Sequence, residues 1–368
     1  MTTQTEQTSP VIVEPEQAQA FLGQVFGDLT GLTNTALASI GDRLGLFKDL
    51  AAAGPATSQE LAARTGMHER YLREWLGGMA SAGYLTYDPG DGRFALPPAH
   101  VPTLADEGGP LFLGGVQQEM LGTLATLGRV VTAFRQGGGV APADFASDTW
   151  EGIERFTNGW FNNLLVQQWL PLMPDVQDKL EQGGDVADVG CGHGRALIKL
   201  AQAFPTSRYV GFDLLPEQVA RARANAAAAG VSDRVRFERC DVAAGLPGSY
   251  DVITSFDVVH DAADPAGLLG AIRHALKPDG IYVCVDINCS DRLEENLGPK
   301  GAFFHGCSVL LCMTMSLAEH GAGLGTLGLH EGKLRELCTQ VGFGAVRTVP
   351  IENPFNSLYE IRSSVGGL

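Results

Sequence analysis

The chain predicts an α/β fold: a largely parallel sheet of seven strands ending in an antiparallel hairpin, behind an α-helical, winged-helix N-terminal domain. Three observations predict it. Apolar strand-like runs alternate with helical patterns from Asp185 onward. The first run enters a turn with glycines at alternate positions, Gly190, Gly192 and Gly194, and helices followed by two short strand-like runs precede residue 100.

In chain order, residues 1–15 are polar, rich in Thr, Gln and Glu, and expected to be disordered. Residues 16–104 read as the helical and winged-helix domain. From about Thr35 a first helix leads to a second in TSQELAARTG, with Ser58 as N-cap and Leu61 and Ala62 on its inner face, and a third in HERYLREWLGGMASAGYL. Short strands around Tyr84 to Tyr87 and Arg93 to Leu96 flank the tight turn DPGDG and make the wing. Residues 105–180 read as a helical linker or lid, with aromatics and Met such as Phe112, Met120, Trp150 and Trp169 spaced for helix packing. Within it, RQGGGVAPADF (Arg135 to Phe145) is a glycine-rich break suited to a hinge.

Residues 181–368 carry the sheet. Val186, Ala187 and Val189 suit a buried parallel strand, and Ala196, Leu197, Ile198, Leu200 and Ala201 give the apolar face of the helix after it. A second strand ends at Asp213, a third at Asp241, and YDVITSFDVVHD makes a fourth. LKPDGIYVCVDIN reads as a helix end, a Pro-Asp-Gly turn and a fifth strand. GAVRTVPI and SLYEIRSS, joined by ENPFN, read as the terminal hairpin.

A glycine-rich strand-to-helix turn brings backbone N–H groups and a helix N-terminus close to a ligand, and fits either a dinucleotide or S-adenosylmethionine. The pattern from Asp188 is D-x-G-x-G-x-G, not the G-x-G-x-x-G of a dinucleotide fingerprint. With the ordered strand-end acids it resembles motif I and the following motifs of class I S-adenosylmethionine-dependent methyltransferases. The whole chain resembles the small-molecule group of these enzymes that carries an N-terminal winged-helix domain. The resemblance implies the Rossmann-like seven-stranded methyltransferase sheet and S-adenosyl-L-methionine as cofactor. It implies a cofactor site of Asp188, Gly190, Cys191, Gly192 and Gly194 around the amino-acid end, Asp213 at the ribose, and Leu214, Asp241 and Val242 at the adenine, with Phe256 beside the reaction centre. Each acid taken singly also reads as a solvated strand end. His193 reads as a backbone donor on the turn.

The same resemblance makes His260 the general base for an acceptor hydroxyl, in VVHDAADP after the fourth strand, with Asp261 or another acid such as Glu331 orienting it. The group often has His-Asp-Trp, and here Ala262 replaces the Trp. His260 reads equally as a pocket-shaping group, with N-, S- or C-methyl transfer by proximity alone. Trp160 and Phe161, ahead of the first strand, and Met313, in CMTMSLAEHGAGLGT, are expected to wall the acceptor pocket.

Composition bounds the partners. With 26 basic against 42 acidic residues the net charge is -16, which disfavours nucleic acid and anionic membrane. In the presumptive recognition helix Arg70 and Arg73 are offset by Glu69 and Glu74, so a homodimer scaffold is expected rather than a DNA-binding regulator. The first basic residue is Arg43 and no membrane-length apolar run is evident, so a cytoplasmic protein is expected, acting on a small-molecule acceptor. Seven scattered cysteines fit reduced thiols. His305, Cys307 and Cys312 lack paired metal-ligand spacing and read as core or pocket lining, so no metal is expected.

Overall fold

The computed structural model describes residues 14–363, so the expectation of disorder at the N-terminus falls almost wholly outside the described residues. Two compact units divide at Ala105 and Asp106.

In the first unit, helices Pro15–Arg43, Leu46–Ala53, Ser58–Thr65 and Glu69–Ser81 precede an antiparallel pair, β1 (Thr86–Asp88) and β2 (Arg93–Ala95). The third helix starts one residue earlier than expected: Thr57, not Ser58, is the N-cap. Its hydroxyl accepts from Glu60 N, and the Glu60 carboxylate accepts from Thr57 N, a reciprocal capping box. Ser58 instead donates to Glu69 on the next helix. The core gathers Ala38, Phe47, Leu61, Trp75, Leu76 and Met79, and Trp75 Nε1 donates to the Leu37 carbonyl at 2.8 Å.

The second unit holds the seven-stranded sheet. Its strands are β3 (Asp185–Val189), β4 (Arg208–Asp213), β5 (Val235–Arg239), β6 (Tyr250–Phe256), β7 (Leu276–Ile287), β8 (Ala345–Val349) and β9 (Asn356–Arg362), in the order β5-β4-β3-β6-β7-β9-β8. The first five are parallel, and β9 pairs antiparallel with both β7 and β8. The expected Pro-Asp-Gly turn lies inside β7, where the pairing with β6 jumps from Tyr250↔Leu276 to Val252↔Ile281. Both sheet faces are covered, by one cluster around Leu197, Leu200, Val252 and Val283 and another around Ile253, Leu269, Ile272 and Leu334. The chain runs outward from β3 to β4 and β5, then returns to β6, so a crevice opens beyond the carboxyl ends of β3 and β6.

Helices Gly114–Leu124 and Ser147–Trp160 pack on each other through glycines; a Cβ on Gly152 would stand 2.4 Å from Glu119 N. The second continues as a π-helix, Phe161–Trp169. The glycine-rich break expected to hinge is pinned: Val140 N donates to Thr314, and a Cβ on Gly139 would collide with the Thr314 carbonyl. One described helical run, Pro299–Ala318, is long and apolar enough to cross a membrane by length and composition, contrary to the sequence reading. Leu311, Cys312 and Met315 from this run are buried against Val130, Val140 and Phe145, the packing of a core helix.

Candidate active site

The crevice is a cleft of about 580 Å³ lined by the glycine loop, the ends of β4, β5 and β6, the helix Ser147–Trp160, and Met315 and Ser316. The loop is shaped by steric need. Gly190 and Gly194 have φ of 65° and 77°, and a Cβ there would stand 2.6 Å from Val258 and 2.4 Å from Phe237. Gly192, at φ 50°, faces open space on the cleft side. Gly194 then caps the helix Arg195–Ala203, whose first N–H groups lie behind the loop.

The strand-end acids converge on this cleft. Asp188 is buried, accepts from Thr254 Oγ1 at 2.6 Å, and is pushed up to about 7 by burial. Asp213 accepts from Gly192 N at 2.9 Å and Leu215 N at 3.0 Å, and burial raises its pKa above the usual carboxylate range. Asp241 caps the short turn Val242–Ala244 and accepts from Ala243 N. Leu214, Val242 and Phe256 line the same cleft, with the Phe161 and Phe256 rings 5.0 Å apart. Cys191 also lines it; burial raises its thiol well above the ordinary value.

His260 sits beyond the end of β6, 3% exposed. Its Nδ1 is 2.6 Å from Asp286 Oδ1, on β7. Its Nε2 is 3.2 Å from Asp261 Oδ1, which has no aligned hydrogen bond. Burial alone would lower the imidazole pKa, but the charges of Asp261 and Asp286 outweigh it and raise the value well above the ordinary one. Asp257, at φ 56°, accepts from Asn356 Nδ2, and burial together with Asp286 pushes it up to about 7. Glu119, on the helix Gly114–Leu124, is pushed up to about 8 by burial and by the charges of Asp261 and Asp257.

Sequence reasoning expected Asp261 or Glu331 to orient His260. Asp261 approaches the far nitrogen instead, Glu331 pairs with Arg335, and Asp286, which was missed, holds Nδ1. Phe161 lines the cleft. Trp160 packs on Phe156 with ring centroids 4.4 Å apart, and the cleft wall takes Met315 rather than Met313. His193 does more than shape the turn, since its Nδ1 lies 2.6 Å from Glu154 Oε2. Of the three residues weighed as metal ligands, Cys312 joins the site, its sulfur lying within 4.8 Å of donor atoms of His260 and Asp261.

Residues 180–327 match the methyltransferase domain family, and residues 33–105 match the Rv2258c-like winged HTH domain family. A ubiquinone biosynthesis O-methyltransferase of Xylella fastidiosa strain M23 is 31% identical over 140 residues, 36% of this chain and 56% of that protein. One of the same name from Cereibacter sphaeroides strain ATCC 17025 is 34% identical over 107 residues, 29% of this chain and 42% of that protein. The chain thus spans about half the length of the curated relatives it matches. Among solved structures, mitomycin 7-O-methyltransferase MmcR superposes with a TM-score of 0.67 at 21% identity, covering 95% of this chain and 99% of that one. Human N-acetylserotonin methyltransferase, in complex with S-adenosylmethionine, gives 0.68 at 18% identity, covering 95% and 98%. At such identities the likeness is one of fold.

Proposed function

From the premise that this chain carries a methyltransferase domain behind a winged helix-turn-helix domain, we propose that it methylates a hydroxyl of a small, largely apolar acceptor, using S-adenosyl-L-methionine and His260 as general base. The observation that carries the reading is the buried Asp286–His260 pair, at 2.6 Å, with His260 Nε2 facing Asp261, a residue lining the cleft that the glycine loop and strand-end acids form.

The residues present fit the cofactor. The Gly192 backbone has open space before it, the Asp213 carboxylate is suited to two ribose hydroxyls, and Leu214 and Val242 offer apolar faces to an adenine beside Asp241. When bound, the cofactor supplies an electrophilic sulfonium methyl. The chain's own work is to align, dry and deprotonate. Phe161, Phe256, Val258 and Met315 supply apolar wall that excludes water from the reacting end. His260 Nε2 takes the hydroxyl proton once the acceptor displaces Asp261. Asp286 at Nδ1 fixes the tautomer and stabilises the imidazolium that forms.

The winged-helix unit is proposed to pair two copies of the chain and not to read DNA. In its fourth helix Arg73 forms two hydrogen bonds to Glu69, and Arg70 pairs with Glu74, which leaves that face without a basic excess. Titration calorimetry with S-adenosylhomocysteine tests the cofactor, with binding expected and tight binding of a nicotinamide cofactor contradicting it. With an acceptor in hand, His260→Ala should keep cofactor affinity while turnover falls about 100-fold or more. Near-wild-type turnover with an unchanged pH profile would remove the base.

A further inference from the structure

Between Gly190 and Gly194 the loop has only two side chains that can fix its shape, Cys191 and His193. Cys191 is buried in the core. His193 reaches out of the loop to a single carboxylate, Glu154, on the helix Ser147–Trp160, 39 residues earlier.

Glu154 is the hub of a closed network. Its Oε2 receives His193 Nδ1 at 2.6 Å, and its Oε1 receives Arg195 Nε at 2.6 Å and Asn225 Nδ2 at 3.1 Å. Asn225 Nδ2 also donates to the His193 carbonyl at 2.9 Å, so the loop residue is held by ring and backbone together. The Glu154 side chain is 7% exposed. Burial would raise its pKa, but the hydrogen bonds and charges of His193 and Arg195 outweigh that and hold it at about 2. Where the helix Ser147–Trp160, the loop and the helix Pro216–Ala228 meet, this buried charge is therefore shared among several partners.

The helix Ser147–Trp160, termed the roof, presents Trp150, Ile153 and Thr157 to the cleft. We infer that Glu154 is a positioning residue that couples the cofactor loop to the roof: through His193 and Arg195 it sets the loop for the cofactor, and cofactor binding in turn orders the roof over the acceptor pocket. This rests on the methyl-transfer reading above. Coupling of this kind is reciprocal, so cofactor and acceptor each raise the other's affinity by the same factor.

The test is hydrogen exchange of residues 147–169 with and without S-adenosylhomocysteine, beside titration calorimetry and thermal melting. The variants are Glu154→Gln, Glu154→Asp and His193→Gln. In the wild type the ligand should slow exchange in this segment. Glu154→Gln should weaken the ligand by about 5- to 150-fold and abolish that protection, with Glu154→Asp recovering part of both. His193→Gln leaves the Glu154–Arg195 pair, so it should melt near the wild type yet lose the protection. Ligand affinity and protection unchanged in Glu154→Gln, or a His193→Gln protein that protects like the wild type, would overturn the coupling. Failure of the wild type to bind S-adenosylhomocysteine would instead take down the methyl-transfer reading, and this inference with it.

Discussion

His260 is bracketed by carboxylates at both ring nitrogens, and that fixes the sign of its pH response. A base whose pKa is raised is protonated, and idle, over a wider range on the acid side. The acid limb of kcat/KM should therefore lie above the ordinary imidazole value of about 6.5. Asp286→Asn removes one of the charges that raise it, so the limb should move down while turnover falls, because the amide no longer fixes the tautomer. A pH–rate series on both proteins checks this; a limb that stays in place assigns it to another group. At the ribose end, Asp213→Ala removes the acceptor of two backbone N–H groups and of the proposed ribose hydroxyls, at a cost of about 1–3 kcal/mol in cofactor affinity by calorimetry. Asp188 and Asp213 were legible because they lie at the ends of β3 and β4, and Asp241 and His260 because they follow β5 and β6 within a few residues. Asp286 was not: 26 residues separate it from His260, and only the pairing of Phe256 with Val285 brings the two strand ends together. Two adjacent parallel strands, each with an acid within one residue of its carboxyl end, were the available signal, and it becomes readable only once strand order is known.

At the scale of elements, the glycine loop divides stability from binding. Gly194→Ala would put a Cβ 2.4 Å from the Phe237 ring in a left-handed backbone, costing about 1–3 kcal/mol and lowering the melting temperature. Gly192→Ala shares the positive φ but meets no protein atom within 4 Å, so its larger effect should be on cofactor affinity, where its methyl would enter the cleft. Equal effects of the two substitutions on melting and affinity would contradict this division of roles. The strands were readable in order because β3, β4 and β6 are rich in Val, Ile, Tyr and Phe and buried along nearly their whole length, the mark of parallel strands covered on both faces. The roof was less readable. Trp160 and Phe161 are adjacent in an aromatic-rich segment, and the change from α- to π-helix falls between them, a register that no periodicity announces. Glu154 gave no sign either, since its partners His193, Arg195 and Asn225 all lie on other elements.

For the whole molecule, the proposed pairing of two copies is expected to run through an exposed apolar stripe on the first helix. On the helix Pro15–Arg43, Leu22, Val25, Leu29 and Leu32 follow a three-four spacing, flanked by Phe21 and Phe26, and all are exposed, Phe26 at 70%. A soluble surface rarely leaves such a stripe bare over three turns, and this spacing is the seam along which two helices pack. The chain's charge of -16 works against self-association, so a contact between copies has to be apolar and local, as this stripe is. We expect light scattering to give a dimer mass for the wild type. Phe26→Asp combined with Leu29→Asp should yield monomers whose melting temperature is little changed, because neither side chain belongs to the core of its unit. A wild type that is monomeric at micromolar concentration would rule out pairing through this helix. A double variant that stays dimeric would move the contact elsewhere. Because the stripe and the catalytic cleft lie in different units, the monomeric variant should also retain S-adenosylhomocysteine binding; loss of binding would mean that pairing is needed to complete the site.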